Sequence, residues 1–145
     1  MKDDFVINSK RISKISKGNG PFIIVDDDHS QISIVKACYE MSGRKNELIC
    51  ITSGDGFLKY MESIELNENE VPVLVLLDIN MPKTSGFDVL AEIRKKDAFK
   101  DIPIIVMFST SDFEADLEKS FKLKANAFFP KPMQINDYVH FFKNI

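Results

Sequence analysis

The feature that most constrains the fold of this chain is a regular alternation of short apolar runs with longer amphipathic segments. The apolar runs are rich in Val, Ile, Leu and Phe, which is typical of strands buried on both faces of a sheet. The segments between them repeat apolar residues every three or four positions, as helices do. The predicted strands are 22–25, 47–52, 71–77, 102–108 and 126–129, and the predicted helices are 31–41, 54–63, 85–96, 112–123 and 135–142.

This alternation predicts the fold class. Strands that alternate with helices run parallel to one another, are joined by right-handed crossovers, and carry helices on both faces of their sheet. We therefore expect an α/β fold built on a doubly wound, five-stranded parallel sheet. The run 71–77 (VPVLVLL) is the most strongly apolar, which predicts that it is a central strand.

Charge and composition limit the domain organisation. The chain has 145 residues, enough for one domain, and a net charge of −3. Residues 1–20 are rich in Lys, Ser and Asn and end in a Gly-Asn-Gly turn. We predict a flexible, basic N-terminal extension at 1–20 and a single domain at 21–145.

The same features limit the partners and the location. The domain is acidic, which argues against a nucleic-acid-binding surface. Its apolar runs are too short to span a membrane, and no secretory signal is recognisable. Cys38 and Cys50 lie within apolar patterns, as free buried thiols do. We expect a cytoplasmic protein that binds neither nucleic acid nor membrane.

Polar side chains follow four of the five predicted strands at the point where each strand ends. In a doubly wound sheet, ligands bind beyond the carboxyl ends of the strands. One edge of the sheet should therefore collect carboxylates, hydroxyls and an amine. These residues are Asp26, Asp27 and Asp28 after the first strand, Asp78 after the third, Ser109 and Thr110 after the fourth, and Lys131 after the fifth.

The chemistry of this set points to a cation and a phosphoryl group. Asp26, Asp27 and Asp78 would raise one another's pKa unless a cation neutralised them, and Mg²⁺ prefers such hard oxygen ligands. A carboxylate beside the ammonium of Lys131 can act as a nucleophile toward a phosphoryl group. Asp28 is better placed to cap the helix that follows it.

Four segments resemble the motifs of one protein family. VDDD at 25–28, LLDINMPKTSG at 76–86, FST at 108–110 and FFPKP at 128–132 resemble the receiver domain of two-component response regulators, over about residue 21 to the end. The D-x-N-M-P-x-x-x-G spacing is the most specific element. The chain is most similar to the stand-alone, single-domain receivers of bacteria. The resemblance implies a flavodoxin-like fold with strand order 2-1-3-4-5.

The resemblance also implies a role for each acid. Asp78 would be the phosphoacceptor, taking a phosphoryl group from a sensor histidine kinase or a histidine phosphotransfer protein. Mg²⁺ would be held by Asp78, by Asp27 directly, by Asp26 through water and by the backbone carbonyl of Asn80.

The remaining roles carried over from the family concern Lys131 and the switch residues. Lys131 would pair with the phosphate, and the Lys131–Pro132 bond would be cis, an isomer that X-Pro bonds adopt readily. Ser109 would be the switch hydroxyl and Phe128 the aromatic switch. Ser109 lies one position later than the family hydroxyl does, counted from the proline of the fourth strand, so Thr110 is a candidate substitute.

One further departure lies in the loop after the third strand. Ser85 stands where the family often has an acidic residue, and Gly86 is retained, so we expect little effect.

These roles predict a phosphorylation-controlled binding module that catalyses only its own phosphorylation and dephosphorylation and is otherwise not an enzyme. Its output would be contact with a downstream protein through the face formed by the fourth helix, fifth strand and fifth helix, or passage of the phosphoryl group along a relay. A homodimer through that face is a further prediction. Tyr138 fits either this face or helix packing.

Two competing hypotheses are weaker. A phosphohydrolase of the haloacid dehalogenase type would use the D-x-D at 26–28 with Asp26 as nucleophile. That reading leaves Asp78 and the Asn-Met-Pro segment unexplained, and the sequence shows no late acidic pair. A receiver that binds partners without phosphate is disfavoured because each required residue type is present.

Overall fold

Five strands and five helices alternate along residues 18–108, 113–131 and 134–145, the part of the chain that the computed structural model describes. The strands are β1 (Phe22–Val25), β2 (Leu48–Ile51), β3 (Leu74–Asp78), β4 (Ile104–Phe108) and β5 (Ala127–Pro130). The helices are α1 (His29–Ser42), α2 (Gly54–Glu65), α3 (Gly86–Arg94), α4 (Phe113–Lys122) and α5 (Ile135–Asn144), with a 3₁₀ turn at Asp97–Phe99.

The sheet confirms the predicted fold class. All four strand pairs are parallel, and the strand order is β2-β1-β3-β4-β5. β3 is central, and all five of its residues are buried. Val25 of β1 pairs with Leu77 of β3, so the residues that follow these two strands leave the sheet side by side.

Two strands begin two or three residues later than the sequence pattern predicts, in each case after a proline. β3 begins at Leu74 rather than at Val71, whose side chain is 53% exposed. β4 begins at Ile104 rather than at Ile102. Proline has no N–H to donate to a neighbouring strand, so Pro72 and Pro103 stand outside regular pairing. The ends that carry the polar residues are unaffected.

The core has two layers because successive side chains of a strand point to opposite faces. Ile23 and Val25 belong to the layer that α2, α3 and α4 cover. Phe22 and Ile24 belong to the layer that α1 and α5 cover. Both faces of the sheet are therefore covered by helices. The carboxyl edge of the sheet is the place where polar groups can lie together.

The layer under α1 and α5 is rich in aromatic rings. Phe129 stacks on Phe141 with ring centroids 4.3 Å apart. Arg44, just after α1, donates from Nε to the carbonyl of Phe142 at 3.1 Å and also bonds to the carbonyl of Ile145. These contacts fix α5 against α1, and with it the segment that carries Lys131.

Three observations concern the predictions about membrane spans, cysteines and the N-terminal extension. None of the helices in the described ranges has the length and apolar character to cross a lipid bilayer. Cys38 and Cys50 are free thiols, as predicted. The side-chain amide of Asn46 donates to the carbonyls of Gly18 and Gly20. Residues 1–17 of the predicted basic extension lie outside the described residues.

Candidate functional site

Three of the predicted acids meet at the carboxyl edge of the sheet. Asp26 follows β1, and Asp78 is the last residue of the neighbouring strand β3. One carboxylate oxygen from each of Asp26, Asp27 and Asp78 lies within 4.8 Å of the other two. Asp26 and Asp78 are buried, whereas Asp27 is partly accessible. The adjacency of β1 and β3 brings together residues that are 52 positions apart in the chain (78 minus 26).

Lys131 is the cation that the structure places among these acids. Its Nζ lies 3.2 Å from Asp26 Oδ2 and 3.3 Å from Asp78 Oδ1. The side chain of Lys131 is 15% exposed, and those of the two aspartates are 3% and 4% exposed. With all groups ionised, three carboxylates and one ammonium leave two negative charges, which is the charge that a divalent cation would balance.

Burial raises the pKa of the Asp78 carboxyl above its ordinary value. The ammonium of Lys131 opposes this shift, the Asp26 carboxylate adds to it, and the Asn80 backbone N–H, at 3.2 Å from Oδ1, opposes it weakly. A charge buried beside a like charge is unfavourable unless cations neutralise both. The site therefore has an electrostatic reason to bind a further cation.

The third aspartate of the triplet has a different role. Asp28 Oδ1 accepts from the backbone N–H groups of Ser30 at 2.9 Å and Gln31 at 3.2 Å, which makes Asp28 the N-cap of α1. Its own N–H donates to Asp26 Oδ1 at 3.0 Å. The predicted role of Asp28 as a helix cap is confirmed.

The loop after Asp78 is shaped by a close approach at Gly86. A Cβ atom there would lie 2.3 Å from the carbonyl oxygen of Asp78 and 2.7 Å from the Cα of Ile79, so only glycine fits. Ser85 caps α3 in a reciprocal capping box with Asp88. Ser85 thus has a structural function in place of an acidic side chain.

Comparison with known proteins decides the family. The profile of the response regulator receiver domain matches residues 22–143, which is most of the chain. The chain belongs to the response regulator receiver family. Its sheet order of 2-1-3-4-5 is the one that the family resemblance implied, and its acidic cluster lies at the sheet edge, as the strand ends predicted.

Relatives of this receiver domain include whole response regulators. Over 116 residues it is 32% identical to response regulator Rcp1 of Synechocystis sp., which covers 79% of this chain and 78% of Rcp1. Over 125 residues it is 27% identical to a probable methanogenesis regulatory protein, FilR2, of Methanothrix harundinacea, which covers 85% of this chain and 80% of FilR2.

Solved structures show the same fold. The Mn(2+)-bound form of response regulator Rcp1 has a TM-score of 0.73 at 27% identity, covering 85% of this chain and 88% of that chain. The phosphorylated cyanobacterial phytochrome response regulator RcpA has a TM-score of 0.75 at 25% identity, covering 87% and 90%.

The switch residues of this receiver domain are only partly described. Phe128 of β5 is fully buried in the layer under α2, α3 and α4. Ser109, Thr110 and Pro132 lie outside the described residues, and so therefore does the predicted cis bond between Lys131 and Pro132. Their roles, and that of the Asn80 carbonyl, stay predictions.

Sequence reasoning missed one polar contact beside the site. The side-chain amide of Gln31 on α1 donates to the hydroxyl of Tyr138 on α5. Tyr138 is 2% exposed, so in this structure it packs between helices and is not part of an open surface. The two residues are 107 positions apart, and no local pattern links them.

Proposed function

We propose that this receiver domain accepts a phosphoryl group on Asp78 in a Mg²⁺-dependent reaction, and that phosphorylation changes a protein-binding surface. The observation that carries the proposal is the placement of Lys131 Nζ within 3.3 Å of both Asp26 and Asp78, next to the third carboxylate of Asp27. This arrangement provides a nucleophile, a fixed cation and a cation site at one point.

A divalent cation fits the residues present. The donors are carboxylates of Asp26, Asp27 and Asp78, which are the hard oxygen ligands that Mg²⁺ takes in small numbers. The fold neighbour Rcp1 has a Mn(2+)-bound form, which supports a divalent ion in this family. When bound, Mg²⁺ would neutralise the acids and the negative charge on the transferring phosphoryl oxygens.

The transfer step uses this chain's own residues. A carboxylate oxygen of Asp78 attacks the phosphorus of a phosphohistidine, an O–P bond forms and the P–N bond breaks. The imidazole leaves with the electron pair and takes its proton from solvent. Lys131, released from its bond to Asp78, is close enough to stabilise the phosphoryl oxygens.

The donor and output follow from this chemistry. A sensor histidine kinase or a histidine phosphotransfer protein supplies the phosphohistidine, and the proposed location of the reaction is the cytoplasm. On this proposal the chain catalyses only its own phosphorylation and dephosphorylation and is otherwise not an enzyme. The output is a contact made by α4, β5 and α5, with a downstream protein or with a second copy of the chain.

The test is covalent labelling of the full chain with acetyl phosphate and Mg²⁺. Wild type should gain the mass of one phosphoryl group in an acid-labile form, and Asp78→Asn should gain none. Asp28→Asn is the matched control. It removes a carboxylate two residues from Asp26 but keeps an equally good helix cap, so labelling should stay within about twofold of wild type.

The competing phosphohydrolase makes the opposite prediction. If Asp26 were the nucleophile, Asp26→Asn would abolish labelling and Asp78→Asn would retain it. Labelling that persists without Asp78 would therefore disprove the proposed function.

A further inference from the structure

A chain of hydrogen bonds links the acidic site to the interface between α1 and α5. The side-chain amide of Gln31 donates to the hydroxyl oxygen of Tyr138. The backbone N–H of Gln31 donates to Asp28 Oδ1 at 3.2 Å, and the backbone N–H of Asp28 donates to Asp26 Oδ1 at 3.0 Å. Asp26 Oδ2 accepts from Lys131 Nζ at 3.2 Å.

The polypeptide closes this chain into a ring. Lys131 follows β5 directly, and Tyr138 lies in the first half of α5, the next element along the sequence. A shift of α5 relative to α1 would therefore act on Asp26 from two sides, through Lys131 and through the first turn of α1. The Gln31–Tyr138 bond joins the two helices at the first turn of α1, next to the acids.

The hydroxyl of Tyr138 is buried and is influenced electrostatically by the acids. Burial raises the pKa of its hydroxyl well above the ordinary value, and the negative charges of Asp26 and Asp78 add to the effect. The hydroxyl therefore stays neutral. A buried hydroxyl that loses its partner destabilises the arrangement around it, so the bond from Gln31 restricts where the first turn of α1 can lie.

We propose that Gln31 and Tyr138 are positioning residues for cation binding. Their bond holds the first turn of α1 at a fixed position relative to Lys131, and the first turn in turn orients Asp26. The inference rests on the proposed function, since it concerns the same cation site. The pair acts through Asp28 and Asp26 rather than on the cation. Groups that orient a metal ligand change metal affinity by roughly ten- to a hundredfold when removed.

The chain provides a matched control in Tyr39. Tyr39 belongs to the same core layer, is 5% exposed, and donates its hydroxyl hydrogen to the carbonyl of Asn46 at 2.8 Å. It lies near the end of α1, whereas Gln31 lies in the first turn. Tyr→Phe at either position removes one buried hydroxyl and keeps the ring.

The experiment measures the dissociation constant of Mn²⁺ for the full chain by electron paramagnetic resonance, together with urea unfolding in EDTA. Tyr138→Phe and Gln31→Met should each weaken Mn²⁺ binding by about three- to tenfold, below the usual range because two bonds intervene. The double variant should be no weaker than either single variant, since both remove the same bond. Tyr39→Phe should lower stability yet leave Mn²⁺ affinity unchanged.

The outcomes separate this inference from the proposed function. If wild type binds Mn²⁺, and Tyr138→Phe and Gln31→Met bind it as tightly as Tyr39→Phe does, the positioning role is wrong and the proposed function stands. If wild type does not bind Mn²⁺, both are wrong. Should Tyr138→Phe fail to fold, Gln31→Met tests the same bond from a partly exposed position.

Discussion

At the scale of single residues, Asp78 lies where its negative charge opposes folding. Burial and the Asp26 carboxylate raise its pKa, and Lys131 offsets only part of the shift. A carboxyl group whose folded pKa exceeds its unfolded value contributes stability below the unfolded pKa. That contribution is lost as the pH rises through the folded pKa. At neutral pH without metal, ionised Asp78 should therefore reduce the free energy of unfolding.

Asp78→Asn should accordingly stabilise the metal-free protein at pH 7, by on the order of 1 kcal/mol. The amide keeps the shape of the side chain and removes one of two buried like charges, while Asp26 still pairs with Lys131. Urea unfolding in EDTA measures the difference, which should shrink to nothing below about pH 4, where wild-type Asp78 is protonated in both states. An equal or lower stability of the variant at pH 7 would contradict this electrostatic account.

The residues that the sequence predicted best are those at strand ends. Asp26, Asp78 and Lys131 were expected together because parallel strands deliver their last residues to one edge, and their spatial convergence is confirmed. The Gln31–Tyr138 contact was not predictable in this way, because it depends on how two helices pack and on side-chain directions. The sequence left Tyr138 open between packing and a surface role.

At the scale of elements, the loop between β3 and α3 approaches the end of β3 closely. The backbone of Gly86 passes so close to Asp78 that an added Cβ would lie 2.3 Å from the carbonyl oxygen of that residue. Backbone atoms cannot relieve a clash by changing rotamer, as a flexible side chain can. A larger residue must therefore displace the start of α3 or the end of β3, which carries the proposed phosphoacceptor.

Gly86→Ala should reduce the free energy of unfolding by about 2–3 kcal/mol and slow labelling by acetyl phosphate. Gly43→Ala is the matched control: it adds the same methyl group at a left-handed residue (φ 76°), where nothing lies within 4 Å of the new Cβ. That variant should lose only about 1–2 kcal/mol, from backbone strain alone, and should label normally. Equal effects of the two substitutions on labelling would show that the close approach does not govern the site.

Element boundaries were harder to predict than element types. Each predicted helix and strand is present, but β3 and β4 begin at Leu74 and Ile104. The apolar pattern had placed the prolines that precede these residues inside the predicted strands. Hydropathy records burial, whereas strand pairing also needs an N–H at each position. The carboxyl ends carry the chemistry, and their prediction was accurate because a polar residue or a proline interrupts each apolar run there.

At the scale of the whole molecule, the site collects residues from several strands and one helix of the fold. β1, β3 and β5 contribute through Asp26, Asp78 and Lys131, and α1 begins at the cap formed by Asp28. The two core layers lie on opposite faces of the sheet that carries these residues. A cation bound by the acids would thus bridge strands and stabilise the folded state as a whole, because the unfolded chain does not hold the acids together.

Mg²⁺ should therefore raise the stability of the protein, and Asp27→Ala should remove this effect. A ligand at ten times its dissociation constant that binds only the folded state adds about 1.4 kcal/mol. Asp27 is partly accessible, so its loss should change metal-free stability little. The measurement is urea unfolding of both proteins across a Mg²⁺ series at constant ionic strength. An equal rise in both would mean that Mg²⁺ stabilises the fold from somewhere other than the Asp26–Asp27–Asp78 cluster, which would remove the electrostatic basis of the proposed function.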